Sequence, residues 1–258
     1  LCFARAQGCA DDTFIYRAEY FLQKLWRPDI QQDGILPQDD AFLSKPVIDL
    51  AKYKANAGKQ TILLDYSRAE VNEMQILKQA DVVMLMYMLP ELFTPQTCLA
   101  NLRFYEARTI HDSSLSKAIH GIVAARCKDP AMGYQFWRDG GQIDLGDDPH
   151  SCDDGIHAAA TGAIWLGAIQ GFAGLSVRHG ELHLHPVLPA QWKRLAFPLQ
   201  WQGRELFITM DADNISITSI GPVDVWICNR KVTVDGERSF KCSNVILPVN
   251  GTATREGK

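Results

Sequence analysis

Apolar residues recur at helical spacing along the first two thirds of the chain and at alternate positions along the last third. Phe14, Ala18, Phe21 and Leu25 lie three or four residues apart, which predicts an amphipathic helix that ends before Pro28. The same spacing predicts further helices over residues 68–89, 96–108, 115–129, 131–140 and 153–172. The interval 29–60 carries proline and glycine and is predicted to be an extended connection.

After Gly180 the period changes from helical spacing to strict alternation. Leu206, Ile208 and Met210 are separated by single residues, and the runs around positions 182, 195, 215, 225 and 232 follow the same pattern. Turn residues such as Asp213-Asn214 and Asp235-Gly236 separate these runs. The pattern therefore predicts an antiparallel sheet, and helices followed by strands predict two packed units rather than alternating βα units.

Composition excludes several classes of partner. The 258 residues have a net charge of −4 and a hydrophobic fraction of 47%, enough to form a real core. This charge gives no electrostatic attraction to nucleic acid or to an anionic membrane. The longest apolar stretches are far too short to span a bilayer. Because Leu1 is not an initiator methionine, we expect the chain to begin inside a longer gene product or inside a misassigned reading frame.

The cysteines and the paired histidines argue against a metal centre. The seven cysteines have irregular spacing with no CxxC pair, which favours reduced thiols in the cytoplasm. His183 and His185 would point to the same side of a strand, as two metal ligands do, but exposed strand histidines are commoner. We therefore predict no metal site.

The segment from Thr109 to Ser116 combines a histidine with two adjacent hydroxyls where a helix is predicted to begin. Ser113 or Ser114 is expected to cap this helix by accepting a hydrogen bond from a free backbone N–H group of its first turn. Free N–H groups beside hydroxyls and an imidazole also form a site where phosphate can bind. A simple helix cap is the alternative interpretation.

Other polar residues are candidates for binding or support. Lys78 and Gln79 fall within the predicted helix 68–89, where a charge and an amide beside an apolar stripe must reach water, a partner or a ligand. Glu106 and Arg108 are interpreted as an ion pair, as support for the following loop, or as a solvated helix end. Asp153 and Asp154 are expected to cap the following helix, and a pocket role stays open for Asp154 or His157. Trp137 and Trp165 either stack on sugars or pack in the core.

Four stretches of the chain resemble glycoside hydrolase family 65, which contains maltose, trehalose, kojibiose and nigerose phosphorylases. They are Ile76–Val83 with its Lys-Gln-Ala-Asp run, Phe104–Ser116, Asp154–Ala159 with the glycines and aromatics that follow, and Pro186–Pro189 with Trp192. The resemblance implies the C-terminal part of a longer protein. It implies a partial (α/α)6 barrel over residues 1–177, with about half of the helices such a barrel needs, followed by a small antiparallel β-sheet domain over residues 178–258.

The resemblance also assigns roles to individual residues. It implies that Lys78 and Gln79 bind the glucosyl unit and that His111, Ser113 and Ser114 bind phosphate. The family's catalytic general acid is a glutamate in a Gly-Pro-Asp-Glu-Tyr-like segment, and nothing in this sequence matches that segment. We therefore assign no catalytic residue to the chain.

The leading hypothesis is the C-terminal portion of an inverting α-glucoside phosphorylase, which converts a disaccharide and phosphate into β-glucose 1-phosphate and a free sugar. Phosphate is then a co-substrate, no cofactor is expected, and the full-length protein is expected to be a homodimer. Two alternatives remain: a trehalase-like hydrolase of the same family, and a non-catalytic fragment that lacks the general acid.

Overall fold

A computed structural model of the chain describes residues 6, 8, 11–25, 28–55, 61–79, 81–111, 115–146 and 155–241. Within these residues the helices precede the strands, so the predicted order of helices followed by a sheet is confirmed. The helices are α1 (Asp12–Lys24), α2 (Ala51–Lys54), α3 (Ile62–Asp65), α4 (Arg68–Asn72), α5 (Asp81–Met88), α6 (Pro95–Arg108), α7 (Ser116–Arg126), α8 (Pro130–Leu145) and α9 (Ala158–Leu166). Short 3-10 turns cover Phe42–Ser44 and Pro90–Leu92, and a π-helix covers Gly167–Phe172.

Side-chain caps set the start of several helices. The Asp11 carboxylate accepts from the backbone N–H of Phe14 at the start of α1. Thr94 and Asp129 cap α6 and α8 in the same way, and each is followed by a proline whose missing N–H costs nothing in the first turn. These starts are local consequences of the sequence.

The prediction of one helix over residues 68–89 is wrong. The structure has α4 and α5 with a non-helical segment between them, and Lys78 and Gln79 lie in that segment. Tertiary hydrogen bonds replace the helical ones there: Gln75 donates from its backbone to Pro46 and from its side chain to the Leu43 and Lys45 carbonyls. Because these bonds satisfy the backbone of distant segments, they outweigh the local helical pattern.

Other helix bounds also differ from the prediction. The helix predicted over 131–140 continues to Leu145, and the one predicted over 153–172 begins at Ala158 and changes to a π-helix at Gly167. Asp153 and Asp154, and the capping role considered for them, lie outside the described residues.

The helical core is centred on α7, which is buried along nearly its whole length. Glycines allow α7 and α8 to approach closely, since a Cβ atom on Gly121 would lie 3.1 Å from the Gly133 carbonyl oxygen. Fully buried Leu102 and Tyr105 of α6 pack in the same cluster as Ile122. By contrast, Phe14 and Phe21 of α1 are more than half exposed, at 57% and 63%.

Among the described residues the strands form one six-stranded sheet, which is mixed rather than purely antiparallel. Its strands are β1 (Ser176–Arg178), β2 (Glu181–Leu184), β3 (Leu195–Trp201), β4 (Arg204–Met210), β5 (Asn214–Ile227) and β6 (Arg230–Lys241). The order is β1-β2-β5-β4-β3, with β6 also paired to β5, and only the β2–β5 pair among these is parallel. After the connection 185–194, β3 runs in the same direction as β2. The chain reverses direction between β3 and β4 and again between β4 and β5, so β5 runs parallel to β2.

The long strand β5 joins the two parts of the sheet. Its first half pairs with β4 and its second half with β2, with a register shift between Ser219 and Val223 on the β6 side. Apolar positions that alternate in the sequence, such as Leu206, Ile208 and Ile217, are fully buried in the sheet core. The predicted alternation therefore gave the correct inward face.

Helices and sheet share one packed boundary. Ile169 and Ala173 belong to the core cluster of the sheet, and Val187 donates a backbone hydrogen bond to Phe172 (2.8 Å). Trp192 stands against Trp137 and Phe172, with ring centroids 5.0 and 4.9 Å away. Trp137 thus has a packing role in the structure, whereas Trp165 is 59% exposed. The division of the chain into two domains at residue 177 stays a prediction.

Two further observations concern membrane-spanning helices and the cysteines. Across the part of the chain that the structure describes, no helix is long and apolar enough to cross a membrane. Cys98 and Cys127 are not joined in disulfides.

Gly174 gives a test of the helix–sheet boundary. It has a positive φ of 62°, and a Cβ atom there would lie 2.0 Å from the His185 carbonyl oxygen. We expect Gly174→Ala to lower the free energy of unfolding by about 3 kcal/mol or more, because backbone strain and a backbone clash act together. Gly180 has φ 78° with open space around it, so Gly180→Ala should cost only about 1 kcal/mol. Equal losses in urea unfolding of the two variants would contradict this account.

Candidate active site

A short backbone pairing brings together two segments that are distant in sequence. Leu77 donates to the Arg108 carbonyl and accepts from the Ile110 N–H group, both at 2.9 Å, which forms a parallel bridge between Leu77 and Thr109. Lys78 and Gln79 directly follow this bridge on one side, and His111 directly follows Ile110 on the other. The structure therefore places the predicted glucosyl-binding pair beside the start of the predicted phosphate-binding segment.

Lys78 and Gln79 are both exposed on this loop. Lys78 also lines a cavity of about 230 Å³ together with Arg68, Ile76 and Ile110. The cavity lining is mostly apolar, and Arg68 and Lys78 contribute two cations to it. The assignment of Lys78 and Gln79 to sugar binding stays a prediction.

Ser113 and Ser114 lie outside the described residues, and so does Asp112. Their assignment as phosphate ligands and as helix caps also stays a prediction. What the structure gives is the two ends of the segment: His111, which follows α6, and α7, which begins at Ser116.

His111 is buried and held at both ring nitrogens. Its Nδ1 atom lies 2.8 Å from the Ser116 hydroxyl oxygen, and its Nε2 atom lies 2.9 Å from Glu106 Oε2. Its backbone has a positive φ of 57°, an unusual conformation for a residue with a side chain. The ring thus connects the last turn of α6 to the first turn of α7.

Glu106 is the centre of a buried polar cluster. Its Oε2 atom also lies 2.7 Å from His120 Nδ1 of α7, and its Oε1 atom lies 3.1 Å from the Lys54 ammonium group of α2. Lys54 donates to the Glu106 backbone carbonyl as well. Of the three interpretations of Glu106, loop support fits, and its ion-pair partner is Lys54. A solvated helix end does not fit, because the carboxylate is held by three donors.

Arg108 has different partners from those considered in the sequence. Its guanidinium donates to the Gln75 side chain (2.6 Å) and to the Phe104 carbonyl, and it lies over the Phe104 ring. Arg108 therefore secures the segment that precedes Leu77.

The electrostatics of the cluster define which atoms carry protons. Burial alone would raise the pKa of Glu106, but hydrogen bonds from His111 and His120 outweigh it and hold that pKa well below its usual range. Burial lowers the pKa of His120, with the Glu106 bond acting in the opposite direction. An ionised carboxylate only accepts, so His111 donates through Nε2–H and His120 through Nδ1–H. The buried Nε2 atom of His120 has no partner among the described residues, as expected for the unprotonated nitrogen of a neutral ring.

The same three groups have the composition of a metal site, with ligand atoms within 4.8 Å of one another. However, the 2.7 and 2.9 Å separations from Glu106 Oε2 are those of hydrogen bonds. Two ligands of one tetrahedral zinc ion stand about 3.3 Å apart. The adjacent Lys54 ammonium also opposes a bound cation. We interpret the cluster as a hydrogen-bonded network.

The histidines considered in the sequence have other partners. The rings of His183 and His185 stack 6.5 Å apart, His183 lies on Trp226, and His185 pairs with the Asn229 side chain. His157 pairs through Nδ1 with Asp144 (2.8 Å) at the start of α9. Asp154 lies outside the described residues.

Sequence reasoning missed His120 and Lys54. One feature marks His120: it is a polar residue within the apolar run of α7, and a buried polar group requires a partner. The identity of that partner could not be read, because Glu106 and Lys54 lie on other helices.

Comparison with known proteins identifies the family. Residues 5–166 match the model of the glycosyl hydrolase family 65 central catalytic domain, and residues 175–234 match the model of its C-terminal domain. The chain therefore belongs to glycosyl hydrolase family 65.

Its relatives include several phosphorylases. The chain is 69% identical to kojibiose phosphorylase of Escherichia coli (strain K12), covering 99% of this chain and 34% of that protein. It is 32% identical to 1,2-alpha-glucosylglycerol phosphorylase of Bacillus selenitireducens, covering 91% of this chain and 32% of that one. A solved structure titled "Putative kojibiose phosphorylase from human microbiome" has a TM-score of 0.78 at 27% identity, covering 85% of this chain and 30% of that one. The chain spans about a third of the length of these relatives.

The protonation state of the cluster predicts how stability depends on pH. The unfolded chain protonates His120 near pH 6.5, whereas the folded chain does so only at lower pH, so stability is lost as the pH falls below about 6.5. His183 and His185, whose pKa values burial also lowers, act in the same direction, and Glu106 adds a further loss below about pH 4.5. We expect the unfolding free energy to decrease steadily from pH 7 to pH 5.

The variant His120→Asn isolates the contribution of His120 to the pH dependence of the unfolding free energy. His120→Asn keeps an N–H donor for Glu106 but cannot take up a proton. The unfolding free energy of the variant and of the unaltered chain is measured in urea at several pH values. The slope of this free energy against pH should be smaller for the variant, by up to about 1.4 kcal/mol per pH unit. An unchanged slope would show that His120 is not the titrating group.

Proposed function

We propose that this chain forms the C-terminal portion of an inverting α-glucoside phosphorylase, which converts a disaccharide and phosphate into β-glucose 1-phosphate and a free sugar. The observation that carries the proposal is the Leu77 pairing, which sets Lys78 and Gln79 beside His111. Membership of family 65 and the phosphorylases among the relatives support it.

The chemistry explains the assigned residues. An inverting hydrolase needs two carboxyl groups, an acid for the leaving oxygen and a base for water. Phosphate is already an anion and attacks without a base, so a phosphorylase needs one acid and a phosphate site. We assign the phosphate site to the segment of His111, Ser113 and Ser114, and the glucosyl site to Lys78 and Gln79. We assign the general acid to the family's Gly-Pro-Asp-Glu-Tyr-like segment, which nothing in this sequence matches.

The substrate and setting follow from the same proposal. The relatives are named as phosphorylases of kojibiose, trehalose, maltose and glucosylglycerol, so we propose an α-glucosyl disaccharide, with kojibiose tested first because of the 69% identity. Inorganic phosphate acts as co-substrate. We also propose a homodimer for the full-length protein and a cytoplasmic location, the latter supported by Cys98 and Cys127, which are not joined in disulfides.

One alternative has its own support. The chain spans about a third of its relatives and contains no match to the acid segment, which favours a chain that is inactive alone. The trehalase-like alternative is disfavoured, because the Ser113-Ser114 pair is intact in the sequence.

A chimera tests the phosphorylase function. This chain would replace the aligned third of the Escherichia coli kojibiose phosphorylase, and sugar phosphate would be measured with kojibiose and phosphate. We expect phosphate-dependent turnover. Ser113→Ala and Ser114→Ala should each raise the KM for phosphate about tenfold or more, since each removes a hydrogen bond to a charged group.

Ser216→Ala is the matched control, because the Ser216 hydroxyl pairs with Ser239 within the sheet. It should leave the phosphate KM unchanged. Hydrolysis at the same rate in phosphate-free buffer would refute the phosphorylase assignment.

The 258-residue chain alone should show no turnover. Without a proton donor the leaving sugar departs as an alkoxide, and general acid catalysis contributes about 10²–10⁴-fold. Sugar phosphate release by the isolated chain, assayed with kojibiose and phosphate, would overturn this expectation.

A further inference from the structure

We propose that Cys98 and Cys127 form a redox-active dithiol site, which a small-molecule disulfide converts into an intramolecular disulfide. The two cysteines belong to different helices: Cys98 lies in the first turn of α6, and Cys127 directly follows α7. Both are partly exposed and are not joined in a disulfide in this structure. Neither takes part in the phosphorylase chemistry proposed above, so this inference stands or falls independently of that function.

One backbone carbonyl lies beside both cysteine side chains. The Cys127 Sγ atom is 3.9 Å from the Pro95 carbonyl oxygen. A helical side chain lies over the turn that precedes it, next to the carbonyl three or four residues earlier, so the Cys98 side chain is directed to the same Pro95 carbonyl. Leu102 and Val123, each one turn from one of the cysteines, pack in the cluster that both cysteines contact. The two thiols are therefore neighbours, brought together by the packing of α6 against α7.

The two thiols differ in how readily they ionise. Cys98 is at the positive N-terminal end of the α6 dipole, whereas Cys127 is at the negative C-terminal end of α7. The interaction with Cys127 lowers the pKa of the Cys98 thiol against the opposing effect of burial, and the Arg126 guanidinium adds to this lowering. The interaction with Cys98, together with burial, raises the pKa of the Cys127 thiol. Cys98 is therefore the attacking thiolate, and Cys127 is the thiol that completes the disulfide.

The reaction balances with a small-molecule disulfide, RSSR, as the oxidant. The Cys98 thiolate attacks one sulfur of RSSR, which breaks its S–S bond, forms a mixed disulfide of Cys98 with SR and releases RS⁻. The Cys127 thiol then loses its proton to solvent and attacks the Cys98 sulfur, which forms the Cys98–Cys127 bond and releases the second RS⁻. The protein loses two electrons and two protons, and RSSR becomes two RSH.

The new bond would join α6 and α7 at the end of the helix pair away from Glu106. Glu106 lies in the last turn of α6 and contacts His120 in α7, whereas the cysteines lie at the opposite ends of these helices. The disulfide closes residues 98–127 into a loop, which restricts the unfolded chain and so stabilises the folded one. The oxidised chain should therefore resist unfolding better than the reduced chain.

The experiment incubates the 258-residue chain with oxidised glutathione, blocks the remaining thiols by alkylation and maps disulfides by mass spectrometry of the digest. We expect a Cys98–Cys127 link that dithiothreitol removes, and a higher urea midpoint for the oxidised chain than for the reduced chain. Oxidation at other cysteines without this link would overturn the proposal. A link that leaves the urea midpoint unchanged or lowers it would show that the two thiols are not placed for a disulfide, and would also overturn it.

Two variants test which thiol attacks. Cys127→Ser removes the thiol that completes the disulfide, so Cys98 should accumulate a mixed disulfide with glutathione. In Cys98→Ser, glutathione should attach to Cys127 about tenfold more slowly or less, because this thiol is the less ionised of the two. Attachment to Cys127 at the same rate or faster would show that the assigned roles are wrong.

Cys228→Ser is the matched control, because Cys228 is a partly exposed cysteine in the turn between β5 and β6. Since it is remote in sequence and lies in the sheet, this variant should form the Cys98–Cys127 link at a rate within about twofold of the unaltered chain. Loss of the link in Cys228→Ser would show that the disulfide forms by exchange through Cys228, and would overturn direct attack by Cys98.

Discussion

The ionised carboxylate of Glu106 is the group on which the arrangement of the helical region depends. A mostly buried charge is tolerated only if donors surround it, and removal of one partner leaves an uncompensated charge that costs several kcal/mol. Here the donors are Lys54, His111 and His120, which come from α2, from the segment after α6 and from α7. One carboxylate therefore couples three parts of the chain, and none of them can shift without exposing it.

Around this charge the structure uses backbone pairing and apolar packing for different purposes. The Leu77 pairing is short, yet it places two polar segments side by side that are more than thirty residues apart. The apolar packing of α7 against α8, and of Phe172 and Trp137 against Trp192, supplies the bulk of the support. Polar groups decide geometry at the site, and apolar contacts keep the site in place. This division agrees with the general observation that functional residues lie on loops carried by a rigid scaffold.

Sequence patterns were reliable where the physical cause was local. Helix α6 was predicted to within one residue because Thr94 and Pro95 define its start, and the sheet alternation correctly identified buried Leu206 and Ile208. The segment 68–89 was mispredicted because hydrogen bonds to Pro46, Arg108 and Ile110 decide its conformation, and those partners are invisible in a local window. The parallel β2–β5 pair was missed for a related reason, since strand direction depends on the path of a connection and not on side-chain period.

The sequence by itself determined the order of helices and strands, the inward face of each strand, and the residue types around the candidate site. Its resemblance to family 65 also indicated which residues to consider. The tertiary structure decided that Lys78 and Gln79 lie on a loop beside His111, that Glu106 is mostly buried, and that both nitrogens of His111 are occupied. The physical reason is that capping and periodicity act between neighbours in the chain, whereas the ionisation of Glu106 depends on side chains that only folding brings to it.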